Sequence, residues 1–289
     1  MPSLNKKSKN EQKSVEIGAL ISHRFRGFAP HENTLKGLCA ALDFGVQNLE
    51  FDIRMAKCGT PMVYHDEYAL DGDGDKHYLC DYKASEYARL GGAFARMPTL
   101  DALFSTVKVH SNQTAKLLVD IKDLGFEHEI HALVMYYRLQ SRAIYVSWVP
   151  EVLYRIHKLA PDIPLCLSHW CGDVSEAVAA SHDMHISKDG SIPRLADKYI
   201  IGVRYGWVSK HALSGDILRI LKASGGGICV PQMMLTSKLS GYYHSQNLFV
   251  STFSYTDWAS INTHKHALNI DMYFIDNKQV FEELRKSSP

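Results

Sequence analysis

Leu49-Glu50-Phe51-Asp52-Ile53 alternates apolar and acidic side chains with a period of two. In a strand, Glu50 and Asp52 therefore share one face while Phe51 and Ile53 share the other. Their Cα atoms lie roughly 6–7 Å apart, close enough for both carboxylates to converge on one cation. Two acids on an interior face repel one another and desolvate badly unless something positive lies between them. Leu118-Val119-Asp120-Ile121-Lys122 repeats the alternation and turns Asp120 and Lys122 inward together. A closed barrel of parallel strands aims two such segments at one point.

Working outward, short apolar runs alternate with helical patterns, the signature of βαβ units and a parallel sheet. Candidate strands fall at 19–24, 48–54, 61–65, 116–122, 143–148, 164–169, 227–231, 248–253 and 271–276. Helical stretches lie between them at 34–44, 99–109, 126–138, 150–159 and 258–267. Nine candidates for eight barrel positions leave one surplus, and 227–231 is the expected extra. Two stretches break the rhythm: 67–97 reads as a large insertion after the third strand, and 170–226 is too long for a barrel connection without structure of its own. At 289 residues, 46% hydrophobic and 22% charged, the chain suits one α/β domain with a sizeable core. The expected fold is a single (β/α)₈ TIM barrel over 17–289, with insertions after the third and sixth strands. A doubly wound open sheet would show the same alternation, but convergent acids favour closure.

The histidines sharpen the chemistry. His23-Arg24 ends the first candidate strand and His65-Asp66 the third, flanking the strand that carries Glu50 and Asp52. One strand-end histidine is ordinarily a hydrogen-bonded structural residue. Two of them around a carboxylate cluster can supply a general base and a general acid near neutral pH. Glu50, Asp52 and Asp120 offer only oxygen, which suits Mg²⁺ or Ca²⁺ and not zinc. Arg24 and Lys122 are donors suited to phosphate oxygens. The alternative for the same acids is a structural ion-pair network around Lys122 and Arg24.

These residues resemble a family. His23-Arg24, Pro30-His31-Glu32-Asn33-Thr34, Glu50-Phe51-Asp52, Gly59-Thr60-Pro61-Met62-Val63-Tyr64-His65-Asp66 and Asp120-Ile121-Lys122 look like the ordered motifs of glycerophosphodiester phosphodiesterases. Met97-Pro98-Thr99-Leu100 and Ser147 followed by Pro150-Glu151-Val152-Leu153 are similar again. The resemblance covers roughly 20–169, with a looser tail over 248–277. It implies that His23 and His65 form the acid–base pair and that Glu50 and Asp52 are metal ligands. It further implies that Arg24 and Lys122 bind phosphate and that Asn33 lies near both metal and phosphate. The expected activity is metal-dependent hydrolysis of a small-molecule glycerophosphodiester to glycerol 3-phosphate and an alcohol. Rival readings are a lysophospholipase D or sphingomyelinase D-like enzyme acting on a lipid, and a catalytically weak barrel that only binds phosphorylated ligands. The chain also departs from the family: Phe25 replaces a glycine, His31 splits Pro-Glu-Asn-Thr, Asp120 replaces a glutamate, and Ser251-Thr252 replaces Trp-Thr.

Other features bound the reading. A formal charge of +1 gives no general attraction to nucleic acid or anionic lipid. Residues 1–16 are polar and read as a disordered leader, and no run of apolar residues is long enough to span a membrane. Six scattered cysteines without a C-x-x-C pair read as reduced thiols, so a cytoplasmic location is expected. Asp71-Gly72-Asp73-Gly74-Asp75 begins like a calcium loop, but Lys76 and Tyr82 stand where that loop needs Gly and Glu, leaving a flexible acidic lid as the expectation.

Overall fold

The computed structural model describes residues 15–195 and 199–287; most of the expected leader lies outside them. Eight parallel strands form a closed barrel: β1 (Leu20–His23), β2 (Asn48–Met55), β3 (Lys116–Ile121), β4 (Ala143–Ser147), β5 (Leu165–Ser168), β6 (Gly227–Pro231), β7 (Phe249–Tyr255) and β8 (Met272–Ile275). Each pairs with the next, and β8 pairs back onto β1 through Ser22 and Ile275. Helices α1 (Leu35–Asp43), α2 (Leu100–Val109), α3 (Glu127–Tyr136), α4 (Pro150–Leu159), α5 (Gly215–Ala223), α6 (Ser237–Ser245), α7 (Trp258–Ala267) and α8 (Lys278–Ser287) follow the strands in turn. Several begin on side-chain caps: Thr34 accepts from Gly37 N ahead of α1, and Thr99 from Ala102 N ahead of α2. Each satisfies one of the amide donors that a helix start leaves without a partner.

The alternation read from the sequence sorts the side chains. Leu49, Phe51, Ile53, Leu117, Val119 and Ile121 join the large core beneath the helices. Ile21, Leu118, Val146, Cys166, Cys229 and Phe274 pack together inside the barrel. This apolar plug fills the lumen and leaves the polar inward residues at the strands' C-terminal ends, where βα loops build sites.

Two strand assignments change. Pro61–Val63 is not a barrel strand; it pairs antiparallel with β2, Val63 opposite Ile53. Only five residues separate it from Met55, enough for a hairpin but not for the crossover that a parallel neighbour requires. Gly227–Pro231, expected to be surplus, is β6, paired between β5 and β7. Its glycine start is a packing requirement, because a Cβ on Gly227 would lie 2.3 Å from the Phe249 carbonyl oxygen. The barrel keeps eight strands, and the two long excursions follow its second and fifth strands.

Both excursions have structure of their own. After the Pro61–Val63 strand, Tyr68–Leu70 and Lys76–Tyr78 form a hairpin over a small core of Met62, Ala69, Leu79, Tyr87 and Phe94. The acidic run is that hairpin's turn and not a flexible lid: Asp71 Oδ1 accepts from Asp73 N and Asp75 N, each at 2.9 Å. After β5, Trp170–Cys171, Met184–Ser187 and Gly206–Ser209 make a second parallel sheet, with Ala179, Met184 and Val208 buried together. No helix of the described residues is long and apolar enough to cross a membrane.

Candidate active site

The barrel's register sets the site. His23 stands opposite Glu50 across β1–β2, and Asp52 opposite Asp120 across β2–β3. Glu50, Asp52 and Asp120 are all buried, with one carboxylate oxygen of each within 4.8 Å of the others. Lys122, just past β3, places Nζ 3.0 Å from Asp52 Oδ1 and 2.5 Å from Asp120 Oδ2. Arg24 sends Nε to 3.1 Å from Asp52 Oδ2 and donates its amide to Glu50 Oε2, also at 3.1 Å. Asn33 Nδ2 donates to Asp52 Oδ2 at 2.9 Å.

The β1–α1 turn that delivers Arg24 and Asn33 is folded by unusual backbone. Arg24, Phe25 and Asn33 have φ of 57°, 61° and 54°. For a bulky residue such as Phe25 this left-handed conformation costs on the order of 1–3 kcal/mol. Its ring is fully buried 6.0 Å from that of Phe51, packing that offsets the strain where the related motif has glycine.

Each histidine is backed by a carboxylate. His23 Nδ1 donates to Asp276 Oδ1 at 2.6 Å, and His65 Nδ1 to Asp66 Oδ1 at 2.7 Å. A carboxylate only accepts, so the neutral rings keep their lone pairs on Nε2. His23 Nε2 lies 3.8 Å from Glu50 Oε2. His65 sits in the loop after Pro61–Val63, and Arg54 Nε donates to its carbonyl at 3.1 Å. His23 borders one small cavity and His65 another; Lys122 and Trp148 line both. The eight candidate residues thus gather at one end of the barrel.

Burial dominates the proton affinities. It pushes His23 down to about 4, with the nearby charges of Arg24 and Arg26 adding to the effect while Asp276 pulls the other way. His65 is lowered by burial too, partly offset by Asp52 and Asp66. Both imidazoles are therefore neutral at pH 7. Glu50 is held well above the ordinary carboxylate range by burial and by repulsion from Asp52 and Asp120. Asp52 goes the other way: burial opposes its ionisation, but Lys122 and Arg24 outweigh it. Burial raises Asp120 despite Lys122 beside it.

The expected ion-pair network is present, yet it leaves the acids incompletely matched. Glu50 pairs with no Lys or Arg side chain among the described residues, and the buried Asp120 Oδ1 has no hydrogen-bond partner. Three converging carboxylates with an orphaned oxygen fit a hard divalent cation, so the acidic triad could hold one.

Asp276, Asp66, Arg26 and Glu32 were not among the sequence candidates. Glu32 holds Arg24 Nη1 at 3.2 Å and Arg26 Nε at 2.6 Å, and Arg26 reaches Asp276 Oδ2 at 3.0 Å. Asp66 follows His65 directly, but nothing local links Asp276 to His23, 253 positions away. Ser251 and Thr252 turn their hydroxyls to Ile228 O and Tyr255 OH and stay in the barrel wall. The cavity beside His23 takes its aromatic lining from Trp148, Phe253 and Phe274 instead.

Residues 21–188 match the model of the glycerophosphoryl diester phosphodiesterase family. The chain is 25% identical over 166 residues to a glycerophosphodiester phosphodiesterase of Caldanaerobacter subterraneus, covering 53% of this chain and 67% of that one. It is 27% identical over 167 residues to human glycerophosphodiester phosphodiesterase 1, covering 52% of this chain and 48% of the human one, so the match spans about half of that relative's length. A family structure from Silicibacter pomeroyi superposes with a TM-score of 0.67 at 20% identity, covering 92% of each chain. An Oleispira antarctica phosphodiesterase, solved with its product sn-glycerol-3-phosphate, gives 0.63 at 18% identity over 93% of this chain and 96% of that one. At such identities the structural likeness shows the fold.

Proposed function

The chain belongs to the glycerophosphoryl diester phosphodiesterase family, and from that premise we propose that it hydrolyses a glycerophosphodiester to glycerol 3-phosphate and an alcohol. The observation that carries the reading is the convergence of two carboxylate-backed histidines, three acids, Arg24 and Lys122 on one end of the barrel. The whole reaction is assigned to the single barrel over 17–289. Six unpaired cysteines support a reducing, cytoplasmic setting.

A phosphodiester resists attack because its negative charge repels nucleophiles, so charge neutralisation comes first. Arg24 and Lys122 supply fixed positive charge, while Asn33 holds Asp52 in place. A divalent ion held by Glu50, Asp52 and Asp120, Mg²⁺ or Ca²⁺ by its all-oxygen ligands, would add Lewis-acid neutralisation of the same oxygens. His23, held neutral with its proton on Nδ1, takes the proton of the attacking hydroxyl at Nε2. His65, neutral at rest, takes up a second proton from solvent at Nε2, which Asp52 and Asp66 favour, and gives that proton to the departing alcohol. The nucleophile is the glycerol hydroxyl beside the phosphorus, because an intramolecular attack is worth several kcal/mol of barrier, on the order of 7 or more when well oriented. The P–O bond to the alcohol breaks as the cyclic phosphate forms; water then opens the ring with the two histidines exchanging roles.

Release of glycerol 3-phosphate should stop on chelation and return with Mg²⁺ or Ca²⁺. His23→Ala and His65→Ala should each lower kcat by about 10²-fold or more. A diester lacking the adjacent hydroxyl should turn over far more slowly, and the synthetic cyclic phosphate should be hydrolysed. Full activity in a chelated preparation sinks the metal assignment, and normal turnover of the deoxy diester sinks the cyclic route. A lipid diester is the second reading, favoured by the exposed Leu70 at the end of a hairpin strand, Tyr199 on the second excursion and Met233 after β6. A lysophospholipid assayed alongside separates it.

A further inference from the structure

Beside the histidines there is little room. The cavity at His23 holds about 40 Å³ and the one at His65 about 20 Å³. A far larger space is a groove of about 380 Å³ between the β1–α1 turn and the hairpin excursion, with Arg26, His31, Glu32, Asn33, Tyr64 and Arg96 on its walls. It adjoins the reaction centre at several points. Asn33 donates to Asp52, Arg26 pairs with Asp276, Glu32 holds Arg24, and Tyr64 precedes His65. A phosphate bound at Arg24, which Glu32 of the groove wall holds, would lie beside this groove.

The groove's charge is one-sided. Its carboxylate, Glu32, is already taken by Arg24 and Arg26. Arg96 is exposed and pairs with no carboxylate among the described residues, and His31 is exposed beside it. Arg96 acts electrostatically on Tyr64, whose hydroxyl burial pushes up to about 12. A guanidinium fork of this kind suits phosphate or carboxylate oxygens. A quaternary ammonium would need an aromatic cage, whereas Tyr64 is the groove's one aromatic wall and Arg96 would repel the cation. Past Arg96 the groove continues along Ala29, Pro30 and Met97 into a further space of about 440 Å³, ample for a bulky alcohol.

Building on the hydrolase reading above, we propose that this groove is the subsite for the leaving alcohol and that Arg96 makes it select alcohols bearing an anionic group over cationic ones. The test compares kcat/KM for a glycerophosphoinositol phosphate and for glycerophosphocholine, in wild type, Arg96→Glu and Arg96→Lys. Wild type should favour the anionic diester, and Arg96→Glu should cut that preference about tenfold, through KM of the anionic substrate. Arg96→Lys should retain most of it, and 0.5 M salt, by screening, should erode it. The proposal is overturned if wild type prefers the choline diester, or if the ratio is the same in wild type and Arg96→Glu. Should the wild-type chain turn over neither diester, the hydrolase reading fails separately. The subsite is then decided by equilibrium binding of the same two diesters to wild type and Arg96→Glu, where an unchanged ratio rejects it.

Discussion

Asp276 shows how much of the site depends on a residue that never meets the substrate in the proposed scheme. Its carboxylate accepts from His23 Nδ1 at 2.6 Å and from Arg26 Nη1 at 3.0 Å, which fixes the ring and leaves Nε2 as the base. Burial works against its charge, but the bond to His23 and the surrounding positive charges hold it ionised far below the ordinary range. Asp276→Asn keeps the shape and removes that preference, because an amide can donate to Nδ1 as readily as accept from it. We expect kcat to fall by about 10²-fold in a chain that still folds, with a lower melting temperature because His23 and Arg26 lose their charged partner; near-normal turnover would make Asp276 a packing residue only. Asp120 gives a second residue-scale test. Its Oδ2 is tied to Lys122 while Oδ1 has no partner, so one more methylene should still reach the cation. Asp120→Glu should keep activity and bind the reactivating ion at least as tightly after chelation, whereas Asp120→Ala should lose both. A glutamate as inactive as the alanine would show a centre built for the shorter side chain. The inward acids, Arg24, Lys122 and both histidines were legible because strand alternation and the ordered motifs are local signals. Asp276 was not, because its partnership with His23 exists only once β8 closes against β1.

At the scale of elements, the alternation of β2 extends one step beyond its two acids. Arg54 continues the inward face of Glu50 and Asp52, and in the folded chain it reaches past the barrel rim. Its Nη1 lies 2.8 Å from Asp123 Oδ1 and donates to Val203 O at 2.9 Å, while Nε donates to His65 O at 3.1 Å. Asp123 in turn accepts from Met55 N at 2.7 Å and Gly202 N at 3.1 Å. One buried ion pair thus fastens β2, the loop after β3, the His65 loop and the excursion after β5. Removing one partner of such a pair leaves an unmatched buried charge and costs about 3–5 kcal/mol. Asp123→Ala should lower the urea midpoint accordingly and open the 170–226 excursion to limited proteolysis; an unchanged midpoint and digest would mean that apolar packing alone docks it. The excursions announced themselves by length, and the need for internal structure in 170–226 was legible. Which candidate strand is surplus is legible only from the link before it, because Pro61–Val63 pairs antiparallel with β2 while Gly227–Pro231 is a barrel strand. The five-residue link before Pro61 already forbade a parallel neighbour, whereas the glycine run before β6 looked like a turn although close approach to Phe249 demands it.

For the whole molecule, the closed barrel places its stability under histidine control at acid pH. His169 follows β5, is 1% exposed, and bonds through Nε2 to Tyr243 OH on α6 at 3.0 Å. That hydroxyl also accepts from Leu213 N at 3.0 Å, so strand, helix and the segment before α5 meet at one buried imidazole. Burial pushes His169 from 6.5 down to about 4. A proton affinity that is lower folded than unfolded means the unfolded chain binds the proton first. The contribution of His169 is therefore complete above pH 6.5 and is lost as the pH falls through that value toward 4. At 1.36 kcal/mol per unit, the loss by pH 4 is about 3 kcal/mol, a large share of the stability of an ordinary domain. Urea midpoints should decline across this window in wild type and decline less in His169→Gln, even if the variant starts lower at pH 7. Parallel slopes for the two proteins would show that His169 titrates in the folded state as it does in the unfolded one, and that the acid sensitivity of the barrel arises elsewhere.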